Sequence, residues 1–274
     1  MNYDLVISGV GGQGVLSIAW VIDHAAHEAG LYLKQSEVHG MAQRGGAVSA
    51  FVRISDQPVA SSLIADGCAS MVISVEPLEA LRYTQLLKPD GWIVTDITPM
   101  VNIGNYPNLA ALYSVLFSAP HLAAMDATRL AKKAGNVKAQ NMVVLGAAAM
   151  HLPFSADLLE RQVAALFASK GERAIKANIN AFRKGDSASR FAAALVASGV
   201  GSDVVAKVVS RLYFPPNPVA QALVNAWATR LLAADAAQAA QSFFDKGDGV
   251  AIDEIAALAD QKSECESSPA AAMA

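Results

Sequence analysis

Two stretches of the sequence hold residues whose types and spacing could do chemistry. In GVGGQG, Gly9, Gly11 and Gly14 fit a G-x-G-x-x-G pattern, with Gly12 and Gln13 between them. Glycines there let a backbone approach a diphosphate, and a helix starting just after them offers unpaired N–H groups and a favourable dipole. The same geometry serves a nicotinamide or flavin nucleotide, coenzyme A or a protein carbonyl, and a bare strand-to-helix turn needs small residues as well. The second stretch, QSEVHGMAQRGGAVSAF at residues 35–51, sets Ser36, Glu37, His39, Gln43 and Arg44 among Gly40, Gly45 and Gly46. Arg44 offers a planar fork of donors for phosphate, carboxylate or a partner's carbonyl. His39 could handle a proton near neutral pH, or be held by one structural hydrogen bond. Glu37 suits a ribose contact in a dinucleotide site, and suits equally a plain ion pair with Arg44. A third stretch, GDG at 247–249, starts like a thiamine diphosphate motif but has neither the preceding strand nor the following asparagines. It reads as a surface turn.

These residues need a scaffold. Tyr3 to Val10 has strand character, Gly11 to Gly14 make the turn, and Val15 to Ala29 carry apolar residues at helical spacing up to Gly30. Further strands fit Leu31 to Ser36, Gly46 to Ser55, Met71 to Val75 and Gly91 to Thr95. A helix from Pro77 to Leu87 and a Pro89-Asp90-Gly91 turn separate the last two. Strands alternating with helices imply an α/β fold, a mostly parallel sheet with helices on both faces. From Asp126, a capping residue, the pattern becomes helical: to Lys133, then Lys138 to Met150, Ala156 to Ser169 and Glu172 to Lys184. The polar FRKGDSASR at 182–190 suggests a boundary, with Phe191 to Tyr213, a break at FPPNP and a helix through Val219, Leu223, Trp227 and Leu231 beyond it. The expected division is an α/β domain over 1–186, a helical extension over 187–262 packing on a partner or a second copy, and a disordered tail over 263–274.

Composition narrows the function. With 274 residues, 53% of them hydrophobic, the chain can bury a sizeable core. No apolar run approaches the ~18 residues of a membrane span, and Met1 to Ser8 enter a strand directly, without the basic start of a signal peptide. A cytoplasmic protein with no membrane partner is the expectation. A formal charge of −3 leaves no basic footprint for nucleic acid. Cys68 and Cys265, the two cysteines, are too few and too far apart to ligate an iron–sulfur cluster or zinc.

GVGGQGVLS at 9–17 followed by SEVHGMAQRGGAVSAFVRI at 36–54 is similar to the gamma subunit or domain of the 2-oxoacid:ferredoxin oxidoreductases. Within that family it most resembles the small (beta) subunits of the indolepyruvate:ferredoxin type; NMVVLGA at 141–147 fits too, and the resemblance covers about residues 1–185. It implies a Rossmann-like fold of the pyruvate:ferredoxin oxidoreductase gamma-domain type and a C-terminal helical extension outside it. It also implies a subunit of an enzyme that decarboxylates an aryl or other 2-oxo acid oxidatively, forms an acyl-coenzyme A and passes electrons to ferredoxin. Thiamine diphosphate, magnesium and 4Fe-4S clusters would sit on a large partner subunit, none of them bound by this chain alone, in a dimer of heterodimers. Gly11, Gly12, Gln13, Gly14, Ser36, Glu37, His39, Gly40, Gln43, Arg44 and Gly45 would then line a coenzyme A channel or touch the partner's site. A free-standing nucleotide-binding oxidoreductase and a purely structural interaction subunit are the competing readings.

Overall fold

The computed structural model describes residues 1–40, 45–101 and 103–258. β1 (Asn2–Val10) is buried from Asp4 onward and hands over through the glycine turn to α1 (Val15–Glu28), which buries Ile18, Val21, Ile22 and Ala25. The helix stops where Gly30, at φ 73°, lets its own amide and that of Leu31 reach back to the carbonyls of His27 and Ala26, a closure that favours glycine. β2 (Tyr32–His39) and β3 (Ala47–Ser55) pair antiparallel, as strands so close in sequence must, a parallel pair needing a longer crossover.

β4 (Ala69–Ser74), α2 (Pro77–Leu81), β5 (Leu87–Asp96), α3 (Leu109–Phe117) and β6 (Leu122–Met125) complete a sheet of order β2-β3-β1-β4-β5-β6. β1, β4, β5 and β6 run parallel, while β3 is antiparallel to both neighbours. The parallel strands read as continuous apolar runs because both faces are covered. A carboxylate at or just past the end of β4, β5 and β6 caps the next segment in each case. Glu76 accepts from the Glu79 amide at 2.8 Å, Asp96 from the Thr98 and Ala127 amides at 2.9 and 3.0 Å, and Asp126 from the Arg129 amide at 2.7 Å.

The rest is helical: α4 (Ala127–Lys133), α5 (Gln140–Ala148), α6 (Ala156–Phe167), α7 (Glu172–Ala197), α8 (Ser202–Val209), α9 (Gln221–Leu231) and α10 (Ala236–Lys246), with the two-residue strands β7 (Leu212–Tyr213) and β8 (Val250–Ala251). Leu5, Ile7, Met71 and Ile73 share one core with α1, α5 and α7, whereas Val6 and Val72 face a smaller cluster with Leu86 and Tyr83. On that second face α2 and α3 add Ala80 and Leu116, packed with Ile93.

α5 is buried from Asn141 to Ala148, and its contact with α7 is backbone on backbone. A side chain at Gly146 would fall on the carbonyl oxygen of Phe182, and one at Gly185 on that of Val143. This corrects the boundary expected at 182–190, because α7 runs unbroken through that stretch and Gly185 is its crossing point. The helical extension packs in part on its own chain. Trp227 of α9 is fully buried in the main core, its ring edge-on to Phe191 and its indole N–H donating to the Ile252 carbonyl at 2.6 Å. The Pro89-Asp90-Gly91 turn is a bulge inside β5, where pairing to β4 jumps from Leu87 to Trp92. GDG at 247–249 is a turn as expected, opened by Gly247 at φ 74° after α10. The tail at 263–274 and Cys265 lie outside the described residues.

Replacing Gly185 by Ala forces the two helices apart, and urea unfolding is expected to show a loss of about 3 kcal/mol, the scale of overpacking a close contact. The same substitution at the exposed Gly104 is expected to cost little, since nothing lies near the position a side chain would take there and its backbone is outside the left-handed region.

Candidate functional site

The glycine turn sits at the carboxyl end of β1, where ligands collect in open α/β sheets. Gly12 is at φ 99° and Gly14, the N-cap of α1, at φ 83°. Gly11 donates its amide to the Gly46 carbonyl at 2.8 Å, which ties the turn to the second polar stretch. Gln13 points inward: its carbonyl oxygen accepts from the Val10 amide at 2.7 Å and its Nε2 donates to the Val75 carbonyl at 2.9 Å. It is therefore a brace between the ends of β1 and β4. A side chain at Gly14 would collide with Asn141, whose Cγ lies 3.0 Å from that position and whose Nδ2 donates to the Gly14 carbonyl at 3.2 Å.

The turn and the end of β2 open into one cleft of about 310 Å3, lined by Gly11, Gly12, Gly14, Leu16, His39 and Val48, among others. Among the described residues, the amides of Gly12, Gly14, Val15 and Leu16 have no acceptor, so four N–H groups and a positive helix end converge there. His39 stands on the opposite rim with its Nε2 3.1 Å from Glu37 Oε2, and Glu37 Oε1 accepts from Gln35 Nε2 at 2.7 Å. These three side chains share a face because strand residues alternate with period two. The alternation sends Ser36 to the other face, opposite Phe51, away from Glu37 and His39. Gly40 closes the hairpin, its amide donating to the Ala47 carbonyl at 2.8 Å, and Gly45 adopts φ 76°. Gln43 and Arg44 lie outside the described residues, so the expected Glu37–Arg44 pair does too.

The dinucleotide reading of Glu37 loses its geometry. In such a site the acidic residue ends the strand next to β1, but here β3 lies between β1 and β2, and the Glu37 carboxylate is already committed to Gln35 and His39.

Sequence reasoning missed Asp23 and Gln35. Asp23 is partly buried on α1, which packs against β2. Its Oδ1 and the Oε1 of Gln35 are buried acceptors without a donor, a costly arrangement for two oxygens unless a proton is shared between groups. Burial, and then the charge of Glu37, push the Asp23 carboxyl up to about 7. No signal short of the strand's register could have revealed this. Asn141, by contrast, lies within NMVVLGA, the segment singled out from the sequence.

Residues 4–188 match the family described as pyruvate ferredoxin/flavodoxin oxidoreductase. The chain is 36% identical over 200 residues to the indolepyruvate oxidoreductase subunit IorB of Pyrococcus horikoshii, covering 69% of this chain and 96% of that protein. Over 194 residues it is 37% identical to the IorB subunit of Archaeoglobus fulgidus, covering 68% and 94%. Among solved structures, a 2-oxoglutarate:ferredoxin oxidoreductase from Magnetococcus marinus shares the fold with a TM-score of 0.56 at 21% identity. That match spans 69% of this chain and 31% of the larger one.

Because the folded protein keeps the Asp23 proton that the unfolded chain releases near pH ~4, the stability tied to it is complete below that pH and is lost as the pH rises through about 7. Asp23→Asn is expected to flatten this fall and raise the urea midpoint at pH ~8 relative to the parent protein. Asp96, also pushed up to about 7 by burial, leaves a residual slope in both. Parallel midpoint-against-pH curves for the two proteins would show that Asp23 does not hold the proton.

Proposed function

This chain belongs to the pyruvate ferredoxin/flavodoxin oxidoreductase family, and on that premise we propose that it is the small subunit of a 2-oxoacid:ferredoxin oxidoreductase of the indolepyruvate type. In this reading it forms part of the coenzyme A channel for oxidative decarboxylation of an aryl pyruvate to an acyl-coenzyme A. Support for the substrate class comes from relatives at 36% and 37% identity that are named as indolepyruvate oxidoreductase subunits.

The observation that carries the reading is the cleft in which four unpaired amides at the start of α1 face His39 across an open space. Coenzyme A is rich in phosphate, and such an amide cluster receives phosphate by hydrogen bonding and dipole attraction alone. His39, oriented by Glu37, stands where it can donate to an oxygen of the same ligand or to the partner.

The described residues contain no group of three His, Cys, Asp or Glu side chains able to hold a metal, and Cys68 stands alone and exposed. Following the family resemblance, this proposal assigns thiamine diphosphate with its magnesium, for decarboxylation, and 4Fe-4S clusters, for electron transfer towards ferredoxin, to a large partner subunit. The assembly proposed is a dimer of such heterodimers. Among the described residues no helix is long and apolar enough to cross a membrane.

The test is reconstitution with the large subunit, assayed with an aryl pyruvate, coenzyme A and a dye acceptor. The small subunit alone is expected to be inactive, and the pair active. Leu16, exposed at the mouth of the cleft, can become Glu without harm to α1, because an acidic residue in the first turn favours a helix. Leu16→Glu is expected to raise the KM for coenzyme A about tenfold, equivalent to ~1.4 kcal/mol of charge repulsion, and to leave the KM for the 2-oxo acid unchanged. Turnover by the lone chain, or an unaltered coenzyme A KM in the variant, would overturn the assignment.

A further inference from the structure

Ser202 to Lys246, the stretch holding α8 and α10, lies beyond the residues that match the family, which end at 188. The Pyrococcus and Archaeoglobus subunits are already 96% and 94% aligned, so they have little chain left to supply an equivalent. α8 and α10 pack beside α3, a helix within the matched region, and with it line a half-open cavity of about 600 Å3, ample for a small-molecule ligand. It shares no lining residue with the cleft at the glycine turn.

The floor of the cavity is aromatic. Phe244 of α10 meets Tyr113 and Phe117 of α3 edge to face, with ring centroids 5.2 and 5.0 Å apart. One side carries two cations a helical turn apart. Arg211, at the end of α8, places its guanidinium 4.3 Å from the Phe244 ring centroid and donates Nε to the Phe244 carbonyl at 3.0 Å. Its two terminal nitrogens have no acceptor among the described residues. Lys207 is only loosely paired, its Nζ 3.8 Å from an Asp203 carboxylate that is itself half exposed. The other carboxylate, Asp245, accepts from Gln241 at 2.9 Å. Unspent donor capacity is thus concentrated on the cationic side. Burial, and then the like charge of Arg129, disfavour the Arg211 cation despite the opposing charges of Asp126 and Asp245, and an anion placed against it would offset the remaining cost.

We propose that this cavity binds a small aromatic carboxylate, with the ring on Phe117 and Phe244 and the carboxylate on the fork of Arg211, supported by Lys207. A guanidinium held over an aromatic ring, with its Nε fixed by a backbone carbonyl, leaves its terminal nitrogens for hydrogen bonds to a carboxylate, and a ring-shaped ligand extends the edge-to-face cluster. The site is a property of the extension, assembled where it meets the family fold.

The test is calorimetric titration of the full-length chain with indole-3-acetate and phenylacetate, and with indole as the uncharged control. Saturable binding of at least one acid is expected, with indole about tenfold weaker or more, the scale of a charge-assisted hydrogen bond. Arg211→Gln is expected to weaken the acid by a similar factor. Ser114→Trp, which fills the cavity from an exposed position on α3, is expected to abolish binding without shifting the thermal unfolding midpoint. The inference is overturned if neither acid binds at millimolar concentration, if indole binds as well as the acids, or if Ser114→Trp retains full affinity.

Discussion

The crossing of α5 and α7 at Gly146 and Gly185 is the constraint on which the remaining structure depends. Two backbones meet there with no room for a Cβ atom on either side, and close packing at that distance fixes both helices. α5 begins with Asn141 in its first turn, so the crossing also sets the distance from that amide to the Gly14 carbonyl and with it the shape of the glycine turn. α7 continues beyond the crossing and carries Phe191 and Leu195 into the main core. One crossing is thus shared by the helix that braces the cleft and the helix that leads into the extension.

Polar groups divide in the same economical way. Glu76, Asp96 and Asp126 stand at the ends of successive parallel strands and are consumed by amides of the adjoining segments. Gln13, chemically the most versatile side chain in the glycine turn, is consumed by Val10 and Val75. Among the described residues, the groups left available at the mouth of the cleft are mainly backbone, a set of amides and a helix end, with the Ser17 hydroxyl beside them and His39 opposite. Such a site recognises charge and shape more than identity, which suits a ligand whose reactive end lies elsewhere.

Much of this was legible in the sequence, and the exceptions have physical causes. The strand-turn-helix opening, the Gly30 stop and the Asp126 cap come from local rules acting over a few residues, and the structure keeps them. Gly185 was misjudged because a glycine among Arg, Lys, Asp and Ser looks the same whether it breaks a helix or lets another helix touch it. Only the partner, Gly146, distinguishes the two cases. β6, four residues with two alanines, carries too little β-branched character to announce itself, and its identity comes from pairing with β5. At the site, period-two alternation could have separated Ser36 from Glu37 and His39, whereas Asp23 on an alanine-rich helix gave no hint that a strand would cover it.

α8 packs along β6, the last strand at one margin of the sheet, while β2 forms the other margin. A foreign strand seeking to lengthen this sheet thus meets a helix packed on β6 at one margin and the charges of Lys34 and Glu37 along β2 at the other. The two margins of the sheet therefore differ: an added helix packs on the strand at one, and charged side chains stand along the other.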